Sequence, residues 1–499
     1  MSSTGIDLES VISTAREQLR LWNVAAASVT VVKDNEVLFA DGLGMRDGES
    51  LPADRDTLFP IASCTKAFTA TALALLATEG KLDFDCPVRE YIPDFRLNDA
   101  YATDHLTIRD FLSHRSGLPR HEFAWYGTGF TRPELMKHLK DLPLNAPIRY
   151  RWQYSNFNYL IAGALIEAVS GMPFEEFLDS RLLKPIGMTS SKVYNSDFLA
   201  VENKALPYDC AEEYTLGESV RIPYYSSPAE DAEGRVGDPT AAAGCIASNA
   251  GDMARWLMFN LNRGKNGEEQ LVREDLMDLI STVHMFLGEG GGAFGPERSS
   301  ESYGLGWSIY QYRGRKMVEH GGNINGFTST TAWLPGENIG VFVSVNQNVC
   351  MIADAIAHSV IDALIGETGT DWYAKMLKYN KDMYENVKAV LKSFGGEPVP
   401  GTTYSHPLED YAGEYEAPGY RRVLILLAEG ELSVDFNHFF APLGHHHYDI
   451  FATRGPLGEF PSGLPLEFGT GTTGKIETVT IRLGTEKDLA PIVFRKKEA

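Results

Sequence analysis

The first forty residues show two hydrophobic patterns in succession. Apolar residues recur at helical spacing from Leu8 to Trp22, which predicts an amphipathic helix. Two short strand-like runs follow, Ser28 to Val32 and Glu36 to Ala40, separated by the polar triplet Lys33-Asp34-Asn35. A short polar turn between two such runs is typical of a β-hairpin. The pattern therefore predicts a helix followed by a hairpin.

The strand pattern returns after residue 300. Strand-like runs extend from Gly304 to Tyr310, from Thr328 to Leu334 and from Gly340 to Val345, and an apolar helix is predicted from Met351 to Ile365. The most economical packing joins these strands and the N-terminal hairpin in one antiparallel sheet, flanked by the first and last helices. The segments between them are predicted to form a helical lobe. The predicted fold class is α/β, in its α+β form.

The chain changes texture again beyond Gly366. A Tyr- and Lys-rich helical stretch, Trp372 to Phe394, ends at a break rich in Gly and Pro. The runs after it, such as Tyr420 to Leu426 and Ile476 to Leu483, are short and separated by frequent Gly, which is typical of a small all-β barrel or sandwich. The predicted organisation is a first domain at 1–366, a helical linker at 367–403 and a β-domain at 404–499.

Size and charge narrow the class of protein. A chain of 499 residues is longer than one hydrophobic core supports, which agrees with two domains. With 43% hydrophobic and 22% charged residues, the composition argues against long disorder. The formal net charge of −22 would repel nucleic acid and anionic membranes, so neither is expected as a partner.

The cysteines and the N-terminal sequence bear on the cellular location of the protein. The five cysteines are an odd number and form no C-x-x-C pair, which argues against a disulfide framework or a zinc site and favours a reducing compartment. The start, Met1 to Asp7, lacks the charged and apolar regions of a signal peptide, and no apolar run reaches the length of a membrane span. A cytoplasmic location is therefore expected.

The strongest candidate chemistry is the S-x-x-K formed by Ser63 and Lys66. This spacing places a hydroxyl and an amine one helical turn apart, so that the amine can take the proton of the hydroxyl. The run Ala67 to Ala77, rich in Ala, Leu and Thr and free of Gly and Pro, predicts a buried helix with Ser63 in its first turn. Free backbone N–H groups there would stabilise an anionic intermediate. Alone, the motif is weak, because about one or two chance matches are expected in a chain this long.

Two further elements follow in the chain. Tyr154-Ser155-Asn156 precedes a helix-like run, and a loop tyrosine there can project its phenol into a cleft, where a nearby ammonium would lower its pKa and let it act as a general base. A second Y-x-N at Tyr384 lies in the polar linker and is interpreted as a solvated helix face. The third element, His320-Gly321-Gly322-Asn323, leads into a predicted strand, where its glycines would let a substrate backbone approach the sheet edge.

The three elements in this order resemble the serine β-lactamase and penicillin-binding-protein superfamily, with its S-x-x-K, Y-x-N and K-T-G or H-x-G motifs. The similarity is greater to the branch of class C β-lactamases, D-alanyl-D-alanine carboxypeptidases, D-aminopeptidases and esterases. It covers about residues 10 to 365 and includes three supporting segments: Ser113 to Leu118, Leu183 to Met188, and Ala242 to Ser248. The C-terminal region resembles the lipocalin-like β-domain that many of these hydrolases carry.

The resemblance implies a role for each motif residue. Ser63 is the nucleophile, Lys66 the amine that activates it, and Tyr154 the base for acylation and the acid toward the leaving group. Asn156 orients the substrate or Lys66. The N–H of Ser63 and a backbone N–H just after Gly322, that of Asn323, form the oxyanion hole. Which of Lys66 and Tyr154 holds the proton at rest stays open, because coupled groups share their titration.

The chain departs from the β-lactamase pattern at His320, where lysine is usual. Histidine is only partly protonated near neutrality, so recognition of a free substrate carboxylate is in doubt. The expected function is therefore a serine hydrolase, with a peptidase or amidase acting on D-configured or other small acyl substrates favoured over a carboxylesterase. An idle penicillin-binding or scaffold protein is the alternative from another class.

No cofactor or metal is expected. In the run His445-His446-His447, neighbouring strand residues point to opposite faces, so at most two of the three could share an ion. The expected partner is a small molecule or short peptide substrate, and association into a homo-oligomer is left open.

Overall fold

The computed structural model describes residues 8–211, 217–224, 238–437, 439–454, 462–483 and 490–497. The expected lack of a signal peptide rests on Met1 to Asp7, which lies outside the described residues. Helices and strands are numbered in chain order over the described part of the chain.

The first structural unit is an eight-stranded antiparallel sheet with the order β2-β1-β14-β13-β12-β11-β10-β9. Its strands are β1 (Ala26–Lys33), β2 (Glu36–Gly44), β9 (Met285–Gly288), β10 (Arg298–Tyr303), β11 (Ser308–Tyr312), β12 (Arg315–Ile324), β13 (Phe327–Leu334) and β14 (Ile339–Val345). β1 pairs with β14, so the N-terminal hairpin and the late strands do share one sheet. Short strand pairs lie outside it: β3 (Phe59–Pro60) with β6 (Ala247–Ser248), β4 (Tyr208–Cys210) with β5 (Ser219–Arg221), and β7 (Lys265–Asn266) with β8 (Glu269–Gln270).

Helices α1 (Leu8–Leu21) and α13 (Ile352–Ile365) cover one face of this sheet. Apolar residues such as Leu19 on α1 and Ile356 on α13 pack in one buried cluster with Val29 and Val343 of the sheet. The predicted strand from Gly304 is wrong at its start, because Gly304 to Trp307 form a turn in which the Gly304 N–H donates to the carbonyl of Trp307. The α+β class is otherwise confirmed.

The opposite face packs against the helical lobe. The helices of this lobe are α2 (Thr65–Thr78), α3 (Ala100–His105), α4 (Ile108–Leu112), α5 (Arg132–His138), α6 (Asn156–Ser170), α7 (Phe174–Phe177), α8 (Lys184–Ile186), α9 (Asn195–Ala200), α10 (Ala241–Gly244), α11 (Ala250–Leu261) and α12 (Glu274–Ile280). Every residue of α2 from Thr65 to Ala77 is buried, as its uninterrupted run of Ala, Leu and Thr predicts. Hydrophobic burial on all sides fixes this helix, and with it the position of Ser63.

The C-terminal region is a closed barrel, as predicted. Helix α14 (Trp372–Gly395) and the short α15 (Leu408–Tyr411) lead into it. The barrel strands are β15 (Gly413–Glu416), β16 (Val423–Ala428), β17 (Glu431–Phe436), β18 (Phe439–His447), β19 (Ile450–Thr453), β20 (Pro465–Thr470), β21 (Ile476–Ile481) and β22 (Ile492–Lys496). Aromatic rings fill the interior, and the ring of Tyr411 lies 5.2 Å from Phe451 and 5.1 Å from Phe468.

No single described helix has the length and apolar composition of a membrane span, although Asn156–Ser170 and Phe174–Ile186, bent by 75°, meet those criteria as a pair. No group of three or more His, Cys, Asp and Glu side chains within the described ranges is arranged to hold a metal ion.

Candidate active site

Ser63 lies in a 3₁₀ turn, Ala62–Cys64, that runs directly into α2. The sequence predicts it in the first turn of the α-helix, and the structure places it one turn earlier. The residue before it, Ala62, has a φ of 47°, a left-handed conformation that costs an alanine energy. This bend aims the half-buried Ser63 side chain away from the helix and into the cleft between the lobe and the sheet.

Lys66 is held by three oxygens one turn along. Its Nζ lies 2.9 Å from Ser63 Oγ, 2.9 Å from Asn156 Oδ1 and 2.8 Å from the carbonyl oxygen of Ala243. The side chain is completely buried, and this burial lowers the pKa of Lys66 well below its usual value; the charge of Arg120 lowers it further. This contact agrees with one of the two roles that the resemblance implies for Asn156, that of orienting Lys66.

Tyr154 approaches Ser63 from the opposite side. Its hydroxyl donates to Ser63 Oγ over 2.8 Å, and the Lys66 ammonium position lies 4.8 Å from the centre of its ring. Burial raises the pKa of Tyr154 above its usual value and outweighs the lowering by Ser63 and Arg120. The direction is opposite to the lowering that the sequence predicts, because desolvation penalises a buried phenolate more than nearby cations stabilise it.

These pKa shifts agree with a count of donors and acceptors. A neutral Lys66 amine has two N–H groups for Asn156 Oδ1 and the Ala243 carbonyl, and a lone pair for the hydroxyl proton of Ser63. The Tyr154 hydroxyl then donates to Ser63 Oγ. An ammonium that donates to all three oxygens satisfies the same distances, so it is the lowered pKa of Lys66 that favours the neutral amine.

His114 supports the tyrosine. Its ring lies 4.4 Å from the ring of Tyr154, and its Nδ1 accepts from the Ser155 N–H at 3.2 Å and faces Asn158 Nδ2 at 3.1 Å. Two donors directed at Nδ1 leave that nitrogen unprotonated. Burial lowers the pKa of His114 well below its usual value, so the ring is neutral. The segment Ser113 to Leu118, noted as a supporting match, thus packs directly behind the predicted site.

The oxyanion side of the site is formed by β12. This strand pairs with β11 only as far as Glu319, so no described strand pairs with its edge from His320 to Ile324. A Cβ on Gly322 would overlap the carbonyl oxygen of Ile61 and stand 3.0 Å from the backbone nitrogen of Ser63. Only glycine permits this approach, which brings the edge of β12 beside the Ser63 N–H.

Asn323 follows on the same edge. Its side chain points away from the reacting groups, because Nδ2 donates to Phe327 O and Asn348 Oδ1, each at 3.1 Å. Any contribution of Asn323 to an oxyanion hole therefore comes from its backbone N–H.

His320 is held in a single neutral form. Its Nδ1 lies 2.6 Å from the carbonyl oxygen of Gly321 and its Nε2 lies 2.9 Å from the hydroxyl of Tyr303. The carbonyl can only accept, so Nδ1 carries the proton and Nε2 accepts from the tyrosine. The pKa of His320 is lowered to about 3, mainly by burial. In the family that this chain resembles, lysine usually occupies this position. The histidine found here is uncharged.

A cleft of about 870 Å³ opens over these groups. Arg120, Asn145 and Arg151 line it near Tyr154, and the guanidinium carbon of Arg120 lies 5.2 Å from the centre of the tyrosine ring. Sequence reasoning missed Arg120, which has no motif of its own, and the backbone carbonyl of Ala243, although the Ala242 to Ser248 segment was noted. The structure brings all seven residues that the sequence predicted together at the site, although the side chain of Asn323 points away from the reacting groups.

Comparison with known proteins now decides the family. Residues 14–363 match the Beta-lactamase family. The chain belongs to the beta-lactamase family. Residues 397–496 of this beta-lactamase family protein match a domain of unknown function, DUF3471, and correspond to the barrel.

Curated relatives extend over most of the chain. The Unguisins hydrolase ungD' of Aspergillus campestris is 26% identical over 521 aligned residues, which cover 97% of this chain and 90% of that protein. Protein flp of Staphylococcus aureus is 24% identical over 391 residues, 77% of this chain and 72% of that protein. The family match makes this chain a member of the serine hydrolases of the β-lactamase and penicillin-binding-protein superfamily.

Solved structures share the fold. The octameric penicillin-binding protein homologue from Pyrococcus abyssi aligns with a TM-score of 0.62 at 21% identity, covering 98% of this chain and all of that one. A class C beta-lactamase aligns with a TM-score of 0.59 at 19% identity, covering 74% of this chain and all of that one. The first similarity includes the barrel as well as the hydrolase fold.

Proposed function

We propose that this protein cleaves amide or ester bonds through an acyl-enzyme formed on Ser63. The observation that carries the proposal is the position of Ser63 Oγ, with Lys66 Nζ at 2.9 Å and the Tyr154 hydroxyl at 2.8 Å. A nucleophile placed between a neutral amine and a neutral phenol has a base on one side and an acid on the other.

In the acylation step, Lys66 Nζ takes the proton of Ser63 while Oγ bonds to the carbonyl carbon of the substrate. The negative charge that develops on the carbonyl oxygen is stabilised by the Ser63 N–H and by the backbone N–H of Asn323, beside Gly322. Tyr154 gives its proton to the leaving nitrogen or oxygen and recovers one from Lys66. Water then takes the place of the leaving group and attacks the acyl carbon. The same proton transfers run in the opposite direction, so that the acyl group is released and Ser63 regains its proton. Lys66 is the general base in this scheme, and Tyr154 transfers protons.

The neutral His320 bears on the class of substrate. Because its two ring nitrogens are engaged with Gly321 and Tyr303, it offers no cation to a substrate carboxylate. The loss of a cation at this position supports substrates without a free carboxylate next to the scissile bond, whereas Arg120 and Arg151 supply positive charge elsewhere in the cleft, near Tyr154. Amides or short peptides of D-configured or other small acyl groups fit that description. A carboxylesterase is the second candidate, supported by the same observation, since simple esters also lack the carboxylate.

The relatives support this proposal without narrowing it. The name of the Aspergillus campestris protein describes hydrolysis of unguisins, which favours hydrolysis here too. The Pyrococcus abyssi homologue is octameric, which supports a homo-oligomer as part of the proposal. The five cysteines, none of them paired in a disulfide within the described residues, support a reducing, cytoplasmic location.

The test is covalent labelling followed by a substrate panel. Intact-mass spectrometry after treatment with a fluorophosphonate should show one adduct, mapping to Ser63 and absent from Ser63→Ala. Turnover of p-nitrophenyl esters compared with D- and L-amino-acid amides separates the esterase from the amidase. A Ser63→Ala protein that keeps its turnover, or a wild type that takes no label at any concentration, would contradict the proposal and favour a scaffold protein.

A further inference from the structure

The cleft does not end at the catalytic serine but continues around the free edge of β12. Two residues of the neighbouring strand, Ser329 and Thr330, show that it extends from one face of the sheet to the other. The Ser329 hydroxyl donates to the carbonyl of Ile61 on the side of the nucleophile, whereas the Thr330 hydroxyl donates to Asp354 at the start of α13 over 3.0 Å. Successive strand residues face opposite sides, so Asp354 lies on the far face of the sheet. Asp354 and Ser63 nevertheless line the same cleft.

The far compartment has aromatic and apolar walls around one ion pair. Phe294, Tyr310 and Met351 line it. Arg298 forms a buried ion pair with Glu319, and its guanidinium carbon lies 3.5 Å from the centre of the Phe294 ring and 4.2 Å from that of Tyr310. The charge of Arg298 is therefore balanced by Glu319 and covered by the two rings.

Asp354 is the remaining charged group among the described residues that line this compartment. Its side chain is 8% exposed, its Oδ1 accepts from Thr330, and no described cation forms an ion pair with it. Burial and the nearby Glu319 raise the pKa of Asp354 to about 7, against the lowering by Arg298. Its place in the first turn of α13 accounts for an acidic residue there but leaves the carboxylate without a counter-ion at the cleft wall.

We infer that the far compartment binds a cationic amine of the substrate, with Asp354 as its counter-ion. The inference rests on the proposed function, because it assumes an acyl substrate held along β12. An extended substrate paired with the edge from His320 to Ile324 directs successive groups to opposite faces of the sheet, so a group next to the reacting carbonyl reaches Asp354. The aliphatic part of that group lies against Phe294, Tyr310 and Met351. The net charge of −22 attracts such cations from solution.

Binding of matched amides tests the inference without requiring turnover. Full-length Ser63→Ala protein is titrated calorimetrically at about pH 8, where Asp354 is mostly ionised, with 6-aminohexanamide and with heptanamide, which carries a methyl group in place of the ammonium. The amine should bind about tenfold more tightly or better, as expected of a close charge pair. Adding Asp354→Asn should reduce the preference to less than about twofold, because asparagine keeps the bond to Thr330 but not the charge.

Asp382→Asn is the matched control. It removes the same charge from an exposed position on α14, where Asp382 pairs with Lys378, and should leave the preference for the amine unchanged. The inference is overturned if the Ser63→Ala protein with Asp354 intact binds the two amides equally, or if adding Asp354→Asn retains the preference and lowers only thermal stability. Should Asp354→Asn fail to fold, the same pair is compared in Thr330→Val, whose preference should fall severalfold and whose unchanged preference counts against the inference.

Turnover by the wild type separates this inference from the proposed function. Acetate is too small to reach the far compartment, so hydrolysis of p-nitrophenyl acetate reports on the reacting groups at Ser63 alone. A wild type that hydrolyses neither this ester nor the amino-acid amides of the substrate panel contradicts the proposed function while leaving the binding result to stand. A wild type that hydrolyses them, while the Ser63→Ala protein binds 6-aminohexanamide and heptanamide equally, overturns this inference and leaves the proposed function intact.

Discussion

Burial has opposite effects on the two proton-carrying groups that flank Ser63. It lowers the pKa of Lys66 and raises that of Tyr154, since in each case the charged form loses its hydration. Both shifts favour the neutral form, in which the lone pair of Lys66 is free to take the Ser63 proton. This outcome depends on the complete enclosure of α2, a property of the packed molecule and not of the S-x-x-K spacing.

The pH dependence of kcat/KM follows from these directions. The base form of Lys66 increases with pH, so activity should rise to a plateau well below pH ~10.4, the usual pKa of lysine. It should fall again only above pH ~10, where Tyr154 loses the proton that the leaving group needs. The measurement is a pH profile of kcat/KM for a stable amide or ester. A rising limb that continues past pH ~10.4 would show that Lys66 is charged at rest.

Lys66→Arg provides a sharper test of the same point. The guanidinium stays protonated throughout this pH range and cannot act as a base, so kcat/KM should fall by about 10²- to 10⁴-fold. Lys81→Arg is the matched control, because Lys81 lies exposed just beyond the same helix and pairs with Glu79. Near wild-type turnover in Lys66→Arg would remove lysine from the role of base.

Gly322→Ala tests the close approach of β12 to Ser63. The added Cβ overlaps the Ile61 carbonyl and crowds the Ser63 nitrogen, so the strand must move away from the nucleophile and the oxyanion donors separate. We expect kcat to fall by about 10²-fold with KM less affected, as for the loss of one oxyanion donor. Gly321→Ala is the control, since a Cβ there meets only Ser329 O at 3.7 Å. Equal losses in both variants would exclude a specific role for Gly322.

At the scale of single residues, the sequence predicted the site residues that a local motif identifies. Ser63 and Lys66 are three positions apart on one turn, and Tyr154 precedes a helix, so these three residues could be recognised. The Ala243 carbonyl could not, because every residue has a carbonyl and only tertiary packing selects one. Arg120 and Asp354 lack a motif for the same reason, and the direction of the Tyr154 pKa shift depends on a burial that one chain position does not reveal.

Among the elements, the segment 119–130 between α4 and α5 connects the barrel with the cleft. On one side, Arg120 lies over the Tyr154 ring, and the Tyr126 hydroxyl is 3.1 Å from Asn325 Oδ1 in the turn after β12. On the other side, Asn437 of the barrel donates from Nδ2 to the carbonyls of Phe123 at 2.7 Å and Tyr126 at 2.9 Å. Asn437, which follows β17, thus holds one wall of the active site.

Asn437→Gly should weaken that wall selectively. Asn437 has a φ of 56°, which glycine adopts without strain, so the variant removes the two hydrogen bonds and leaves the turn intact. The lost bonds amount to about 1–3 kcal/mol. We expect kcat/KM to fall severalfold, mainly through KM, with an unchanged far-UV circular dichroism spectrum. Lys475→Ala, in the exposed turn between β20 and β21, should leave the kinetics unchanged; a parallel loss there would point to a general effect of the barrel.

The hydrophobic runs gave β13, β14 and α13 to within one residue of their ends and β1 to within two, because these elements are buried at almost every position. The predicted β2 ended at Ala40, four residues before Gly44. β9, β10, β12 and the 3₁₀ turn at Ser63 were missed. β12 is ten residues long, but its charged residues and two glycines give no strand pattern, so His320 to Asn323 lie within a strand and not, as expected, at the entry to β13. The start of β11 was misplaced because Gly304 and Gly306 read as part of a strand, whereas Gly306, with a φ of 80°, forms a turn.

For the whole molecule, the main feature is that the helical lobe and the barrel share one hydrophobic cluster. The Phe123 ring stacks on Phe436 at 5.7 Å, and Tyr126 stacks on Phe439 at 5.4 Å. Some 300 positions separate these partners in the chain, so no local pattern could predict their contact. The sequence predicted a barrel and a hydrolase fold but not that their cores are continuous.

A continuous core predicts that the two parts unfold together. All seven tryptophans precede residue 404, so tryptophan fluorescence reports only the hydrolase and linker, while hydrogen exchange of β16 and β21 reports the barrel. The two thermal midpoints should coincide. Phe436→Ala, which removes a fully buried barrel side chain at a cost of about 3–5 kcal/mol, should lower the tryptophan-reported midpoint by several degrees. Phe440→Ala, on a ring that is 54% exposed, should not. A barrel that melts separately, with the tryptophan transition unmoved by Phe436→Ala, would mean that the shared cluster transmits no stability between the two parts.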